Sequence, residues 1–68
     1  MTSEVMRKIE IATNTQEECL SIGTKIHEQL RGNQDYIDSN ILLNCTEGDN
    51  VVRVYIFKEC TTIPEITI

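Results

Sequence analysis

Residues 36–60, YIDSNILLNCTEGDNVVRVYIFKEC, decide the fold of this chain. Two runs with apolar residues at alternate positions, 36–45 and 51–60, flank a cluster of turn-forming residues at 46–50. Two such runs around a turn predict a β-hairpin. A two-residue loop at Gly48 and Asp49, with glycine in the first central position, suits a type II′ turn and makes Glu47 face Asn50.

That register sorts the side chains of the hairpin into two faces, because neighbouring residues of a strand point to opposite sides. A slip by one residue would mix the two sets. One face is apolar throughout and is the expected core face. The other is polar around an apolar centre of Leu42, Tyr55 and Phe57. The expected core face consists of Ile37, Ile41, Leu43, Cys45, Val52, Val54, Ile56 and Cys60.

A strand precedes the hairpin. Over residues 5–11, Val5, Ile9 and Ile11 fall on one side, while Lys8 and Glu10 fall on the other. This alternation predicts strand one, half-buried in the same sheet.

A helix follows strand one. Thr15 and Glu18 match a capping box at its start, and an apolar stripe at helical spacing runs from residue 19 to residue 30. We expect the helix to end near Arg31, with Gly32 or Asn33 in a left-handed C-terminal cap. Gly23 interrupts the stripe, which predicts a close contact between the helix and the sheet.

The order strand, helix, strand, strand predicts an α+β fold, a two-layer β-α-β-β sandwich with one helix on a three-stranded, mainly antiparallel sheet. We expect a single domain over residues 1–60. Strand three is preferred in the centre because it is richest in β-branched residues, and the order one-two-three is the alternative. Residues 61–68 then form either a C-terminal arm or a short fourth strand at the edge.

Composition restricts the function. A chain of 68 residues buries a thin core, so association with a second copy would help it. Its net charge of −5 repels the phosphate backbone and disfavours nucleic-acid binding. No apolar stretch reaches the length of a membrane span. Three cysteines without a C-x-x-C pair, in a chain without a signal segment, predict free thiols in the cytoplasm.

The candidate catalytic side chains do not form a constellation. Cys19 and His27 are eight residues apart on the helix, about 12 Å along its axis, which is too far for a thiol and its base. His27 is better explained as a packed structural histidine. Asp35 and Asp38 are expected in a solvated loop. We therefore expect no enzyme activity, no cofactor and no metal.

Two surfaces remain as candidate interfaces. One is the apolar centre of the open sheet face, and the other is the isoleucine-rich tail, which is costly to leave in water. The candidate interface residues are Leu42, Tyr55, Phe57, Ile63, Ile66 and Ile68.

The segment VRVYIFKE at 52–59, preceded by Tyr36-Ile37-Asp38, resembles the hairpin of a small sporulation-associated family found in Bacillus and its phages. This resemblance extends over residues 6–59 and rests on pattern. The order of elements also resembles dodecin, a flavin-storing dodecamer, but dodecins stack the flavin on a tryptophan and this chain has none. Both resemblances imply a small assembling domain without catalytic machinery, and the first implies a phage or prophage origin.

The functional expectation is a non-enzymatic, acidic binding protein that forms a homo-oligomer. It would act by sequestering or blocking a partner, either a host protein or a small ligand. The alternative is a structural or assembly subunit of a spore or virion.

Overall fold

Three strands and one long helix make up the fold, which we describe from a computed structural model covering residues 4–46 and 48–67. In chain order the elements are β1 Val5–Ala12, α1 Gln16–Leu30, α2 Gln34–Ile37, β2 Ile41–Cys45 and β3 Val51–Phe57. The predicted α+β fold, with one main helix and a three-stranded antiparallel sheet, is confirmed.

β3 lies in the centre of the sheet, and both β1 and β2 run antiparallel to it. The preferred strand order is therefore confirmed, and the order one-two-three is wrong. Every second side chain of β3 is fully buried, at Val52, Val54 and Ile56. The predicted hairpin register is also confirmed: Ile41 pairs with Ile56, Leu42 with Tyr55, Leu43 with Val54, Asn44 with Arg53 and Cys45 with Val52.

α1 begins where the sequence predicts. The Thr15 side chain accepts a hydrogen bond from the backbone N–H of Glu18 at 3.1 Å, and the acidic Glu17 and Glu18 occupy the first turn, where the helix dipole favours negative charge. The helix packs on β2 and β3. Its buried residues are Cys19, Gly23, Ile26 and Leu30.

The second strand is shorter than predicted, because residues 34–37 form the helix α2 instead. The Asn33 side chain accepts from the backbone N–H of Asp35 at 2.8 Å and so starts this helix. Tyr36 is therefore helical, and Ile37 is 62% exposed rather than part of the core face. The alternation of apolar residues predicted a strand at residues 36 and 37, but the helix cap at Asn33 favours a helix there.

The predicted left-handed cap of α1 is also wrong, since neither Gly32 nor Asn33 has a positive φ. The cap appears one helix later. The backbone N–H of Asn40 donates to the Asp35 carbonyl at 2.7 Å, and that of Ser39, with φ at 64°, donates to the Tyr36 carbonyl at 3.2 Å. These two bonds are a Schellman motif that ends α2.

The hairpin turn also differs from the prediction. The backbone N–H of Asp49 donates to the Thr46 carbonyl at 3.4 Å, so the hydrogen-bonded turn begins one residue earlier than expected. Gly48 has φ at 94° and Asn50 at 53°, and these left-handed residues complete the reversal. The predicted pairing of Glu47 lies outside the described residues.

A β-bulge changes the face of one residue of β1. The register between β1 and β3 shifts between Val5 and Arg7, so that Val5 pairs with Phe57. Val5 thus joins the open face of the sheet, whereas strict alternation placed it with Ile9 and Ile11. Those two stay on the core face, opposite Val54 and Val52, and pack against the core.

Gly23 tests the packing of α1 on β2. It is buried, and a Cβ added there would lie 3.8 Å from the Cys45 Cβ, an ordinary contact distance. Because glycine in a helix interior costs up to about 1 kcal/mol relative to alanine, we expect Gly23→Ala to raise the free energy of unfolding by roughly 0.5–1 kcal/mol in urea denaturation.

The matched control is Gly48→Ala, which we expect to lower that free energy because its φ of 94° disfavours any side chain. A loss of stability in Gly23→Ala would contradict this expectation, because it would show that α1 lies too close to β2 to accept a Cβ at this position.

Candidate binding surface

The sheet face turned away from α1 carries the apolar cluster that the sequence predicts. Leu42 pairs directly with Tyr55, and Phe57 lies two residues further along β3 on the same face. Tyr55 and Phe57 are half-buried, and Leu42 is 46% exposed. The exposed Val5 and Met6 extend the cluster onto β1. Val5 pairs with Phe57. Met6 lies on the same face because its neighbour Arg7, which pairs with Ile56, is on the core face. We call these five residues the open-face patch.

Charged side chains lie beside the open-face patch and pair with one another. Lys8, which pairs with Tyr55 across the strands, approaches Glu10 at 3.4 Å. Glu10 also lies 3.4 Å from Arg53, and Arg53 reaches Asp49 in the hairpin turn at 2.9 Å. This cluster thus contains two cations and two carboxylates and is locally balanced, although the whole chain has a net charge of −5.

The tail residues do not join the open-face patch. The side chain of Gln29 on α1 bonds both backbone groups of Thr67, at 2.6 and 2.8 Å, so the tail lies on the helix side of the sheet. Ile66 packs against the chain's own core, whereas Ile63 is 60% exposed. Ile68 lies outside the described residues. Over residues 61–67 the tail forms no strand.

A buried carboxylate ties the start of the tail to the domain. Asp35, in the first turn of α2, is only 3% exposed. Its oxygens accept hydrogen bonds from the backbone N–H groups of Thr61 and Thr62, both at 3.0 Å. The Thr62 hydroxyl donates at 2.7 Å and the Thr61 hydroxyl at 3.1 Å, while the side-chain amide of Asn40 lies at 3.4 Å. Asp35 therefore acts as a latch for the tail.

These donors hold the pKa of Asp35 well below its usual range, although burial of the carboxylate opposes them. The backbone N–H of Thr61 has the largest effect on this pKa, and the Thr62 hydroxyl has the next largest. The expectation of a solvated loop is thus wrong for Asp35. Asp38 does lie at the surface, where it accepts a hydrogen bond from Gln34 at 3.0 Å. Sequence reasoning missed the latch, because the donors follow the carboxylate by 26 and 27 residues.

The other candidate side chains are occupied within the fold. The Nδ1 atom of His27 lies 2.8 Å from the Tyr36 hydroxyl, and the two rings meet edge to face. The three cysteines are free. A hydrogen bond with Cys19, together with burial, raises the pKa of Cys45 to about 11. Burial also raises the pKa of Cys60, whose thiol donates to the Thr62 carbonyl at 2.6 Å.

Within residues 4–46 and 48–67, the structure contains no helix that is long and apolar enough to cross a membrane. Over the same residues, no three His, Cys, Asp or Glu side chains are grouped to hold a metal ion. Comparison of the chain with protein-family models, with curated proteins and with solved structures found no match.

The latch predicts how stability depends on pH. Because the pKa of Asp35 is lower in the folded chain than in the unfolded chain, its stabilisation is complete above the ordinary Asp pKa of about 4 and is lost as the pH falls below that value. We expect Asp35→Asn to lower the melting temperature at pH 7 by roughly 5–15 °C and to shrink this difference towards pH 2.

Asp38→Asn is the matched control, an exposed aspartate three residues away, and should change little. The melting temperatures of the unmodified chain and of the two variants are measured by circular dichroism between pH 2 and pH 8. If Asp35→Asn and the unmodified chain kept a constant difference in melting temperature over this range, the carboxylate would not be the latch.

Proposed function

We propose that this protein is a non-enzymatic binding protein that associates with a second copy of itself through the open-face patch. The observation that carries the proposal is the contiguity of Leu42, Tyr55 and Phe57 on a sheet face that α1 leaves uncovered. Contiguous exposed apolar residues next to polar ones are typical of protein contact surfaces, and tyrosine is enriched among the residues that dominate their binding energy.

The local charge permits a second copy to cover the open-face patch. Two copies with a net charge of −5 each repel one another over most of their surfaces. The charges beside the open-face patch are balanced instead, because Lys8 and Arg53 pair with the carboxylates of Glu10 and Asp49. In a two-fold arrangement each patch contacts its own equivalent, so the cations of one copy can lie near the carboxylates of the other.

The small size of the domain also favours a second copy on the open face. A domain of 68 residues hides roughly 60% of the surface of its unfolded chain, and the fully buried apolar side chains in this structure lie in a single layer between α1 and the sheet. A second sheet packed on the open face would add a second apolar layer, with sheets about 10 Å apart.

The state of the titratable side chains supports a non-enzymatic role. A nucleophilic cysteine reacts as its thiolate, and the raised pKa values of Cys45 and Cys60 keep both thiols protonated at neutral pH. The oxygens of Asp35 are taken up by the tail, and His27 is paired with Tyr36. Binding of a partner, with the effect of sequestering or blocking it, is the function that these features favour.

Tyr55→Asp tests the interface. It places a carboxylate in the centre of the open-face patch, and we expect it to weaken self-association at least 30-fold, which corresponds to the loss of a residue worth about 2 kcal/mol. Light scattering at micromolar concentration would then report the mass of one chain, while the far-ultraviolet circular dichroism of the folded domain is retained.

The matched control is Leu20→Asp, which puts the same charge at an exposed position on α1 and should leave the oligomer intact. A single-chain mass for the unmodified protein would refute the proposal. An oligomer that persists in Tyr55→Asp would exclude the open-face patch as its interface.

A further inference from the structure

The two edges of the sheet differ in how they are protected. The backbone N–H of Thr13 donates to the carbonyl of Asn50, the residue just before β3, and the pattern alternates along β1 from there. The outward backbone groups of β1 therefore belong to Lys8, Glu10 and Ala12. Charged side chains and the bulge at Val5–Arg7 are features that block strand addition. β2, with the sequence ILLNC, has no charge, no proline and no bulge.

The backbone groups that β2 offers at its free edge follow from one hydrogen bond. The backbone N–H of Phe57 donates to the Asn40 carbonyl at 3.0 Å, so Asn40, Leu42 and Asn44 direct their backbone groups towards β3. The backbone N–H and C=O of the alternate residue Leu43 therefore point outwards, as do those of Ile41 and Cys45. Among the described residues, none bonds to the outward groups of Leu43.

A groove runs beside this edge, between β2 and α1. Its volume is about 250 Å³, and no charged side chain lines it among the described residues. Gly23 contributes no side chain to it and lies close to Cys45, since a Cβ added at Gly23 would be 3.8 Å from the Cys45 Cβ. The residues that line it are Leu20, Gly23, Thr24 and His27 of α1 and Leu43 and Cys45 of β2.

The free edge and the groove together specify the shape of a ligand. Outward N–H and C=O groups at every second residue bind an extended chain, which adds as a fourth strand next to β2. Every second side chain of such a strand points to the α1 side of the sheet and enters the apolar groove. Main-chain bonds then give affinity, and the groove selects apolar side chains.

Pairing of β2 with the β2 strand of a second copy does not fill the groove. Its own β2 is the strand it would offer, but Ile41 is fully buried under its own α1, and Leu43 and Cys45 pack against the same core. Two paired β2 strands would therefore leave both grooves unfilled. A strand without a helix on its inner face can fill the groove, and an isolated extended segment provides one.

We infer that the groove between α1 and β2 binds an extended peptide segment of another protein, with apolar residues at alternate positions and Lys or Arg at its ends. The flanking cations follow from the net charge of −5, which attracts basic segments. This inference deepens the proposed binding function by naming its partner, but it depends on a different surface from the open-face patch.

The test uses synthetic peptides of the form Lys-X-Thr-X-Thr-X-Lys, where each X is Val, Ile, Leu or Phe, titrated into the full chain. We expect binding by at least one of them. Amide hydrogen exchange of Leu43 should then slow at least tenfold, while that of Leu42, already bonded to β3, should stay unchanged. N-methylation of the backbone of that peptide should abolish binding.

Two protein variants separate this site from the open face. Leu20→Lys should weaken peptide binding at least tenfold without changing the oligomer mass. Leu42→Lys should lower the oligomer mass and leave the affinity for the peptide unchanged. If no peptide binds, or if Leu42 and Leu43 are protected alike, the inference is overturned. That outcome leaves the proposed self-association intact, because light scattering measures it separately.

Discussion

The burial of Val52, Val54 and Ile56 beneath α1 is the interaction on which the rest of the structure depends. Side chains on a strand alternate between faces, so burying these three on one side forces Arg53, Tyr55 and Phe57 to the other. Residues 4–46 and 48–67 form one long helix, and that helix covers one face of the sheet. The packing that forms the core therefore also produces the open-face patch.

The latch at Asp35 organises the other end of the molecule. A buried carboxylate is costly unless hydrogen bonds satisfy it, and Thr61 and Thr62 supply them. In return the tail is held on the helix side, where Gln29 fixes Thr67 and Ile66 adds to the core. Without this latch only the Gln29 hydrogen bonds and the packing of Ile66 would hold the tail, since it forms no strand over its described residues.

The register, the strand order and α1 could be predicted because several independent signals agree. A one-residue slip of the hairpin would have mixed its apolar and polar faces, so the pattern excluded it. Thr15 and Glu18 marked the start of α1 by local chemistry alone. For the same reason the apolar centre of the candidate site, at Leu42, Tyr55 and Phe57, was predictable.

What the sequence did not predict arises from local capping and from contacts distant in the chain. Asn33 starts α2 and Ser39 ends it in a positive φ, which serine rarely adopts, so the alternation of residues 36–45 was misleading. The bulge that moves Val5 to the open face leaves no mark in the sequence. The groove combines α1 with the edge of β2, and only the folded chain brings them together.

We propose that a second copy covers the open face in solution. Two exposed leucines allow it to be tested in the unmodified protein: Leu42 on the open face and, at 54% exposure, Leu20 on α1. Paramagnetic relaxation of their methyl groups by a soluble gadolinium chelate, measured over a concentration series, reports the exposure of each. We predict that Leu42 becomes protected as the concentration rises, while Leu20 stays accessible. Equal accessibility of the two at every concentration would contradict the claim.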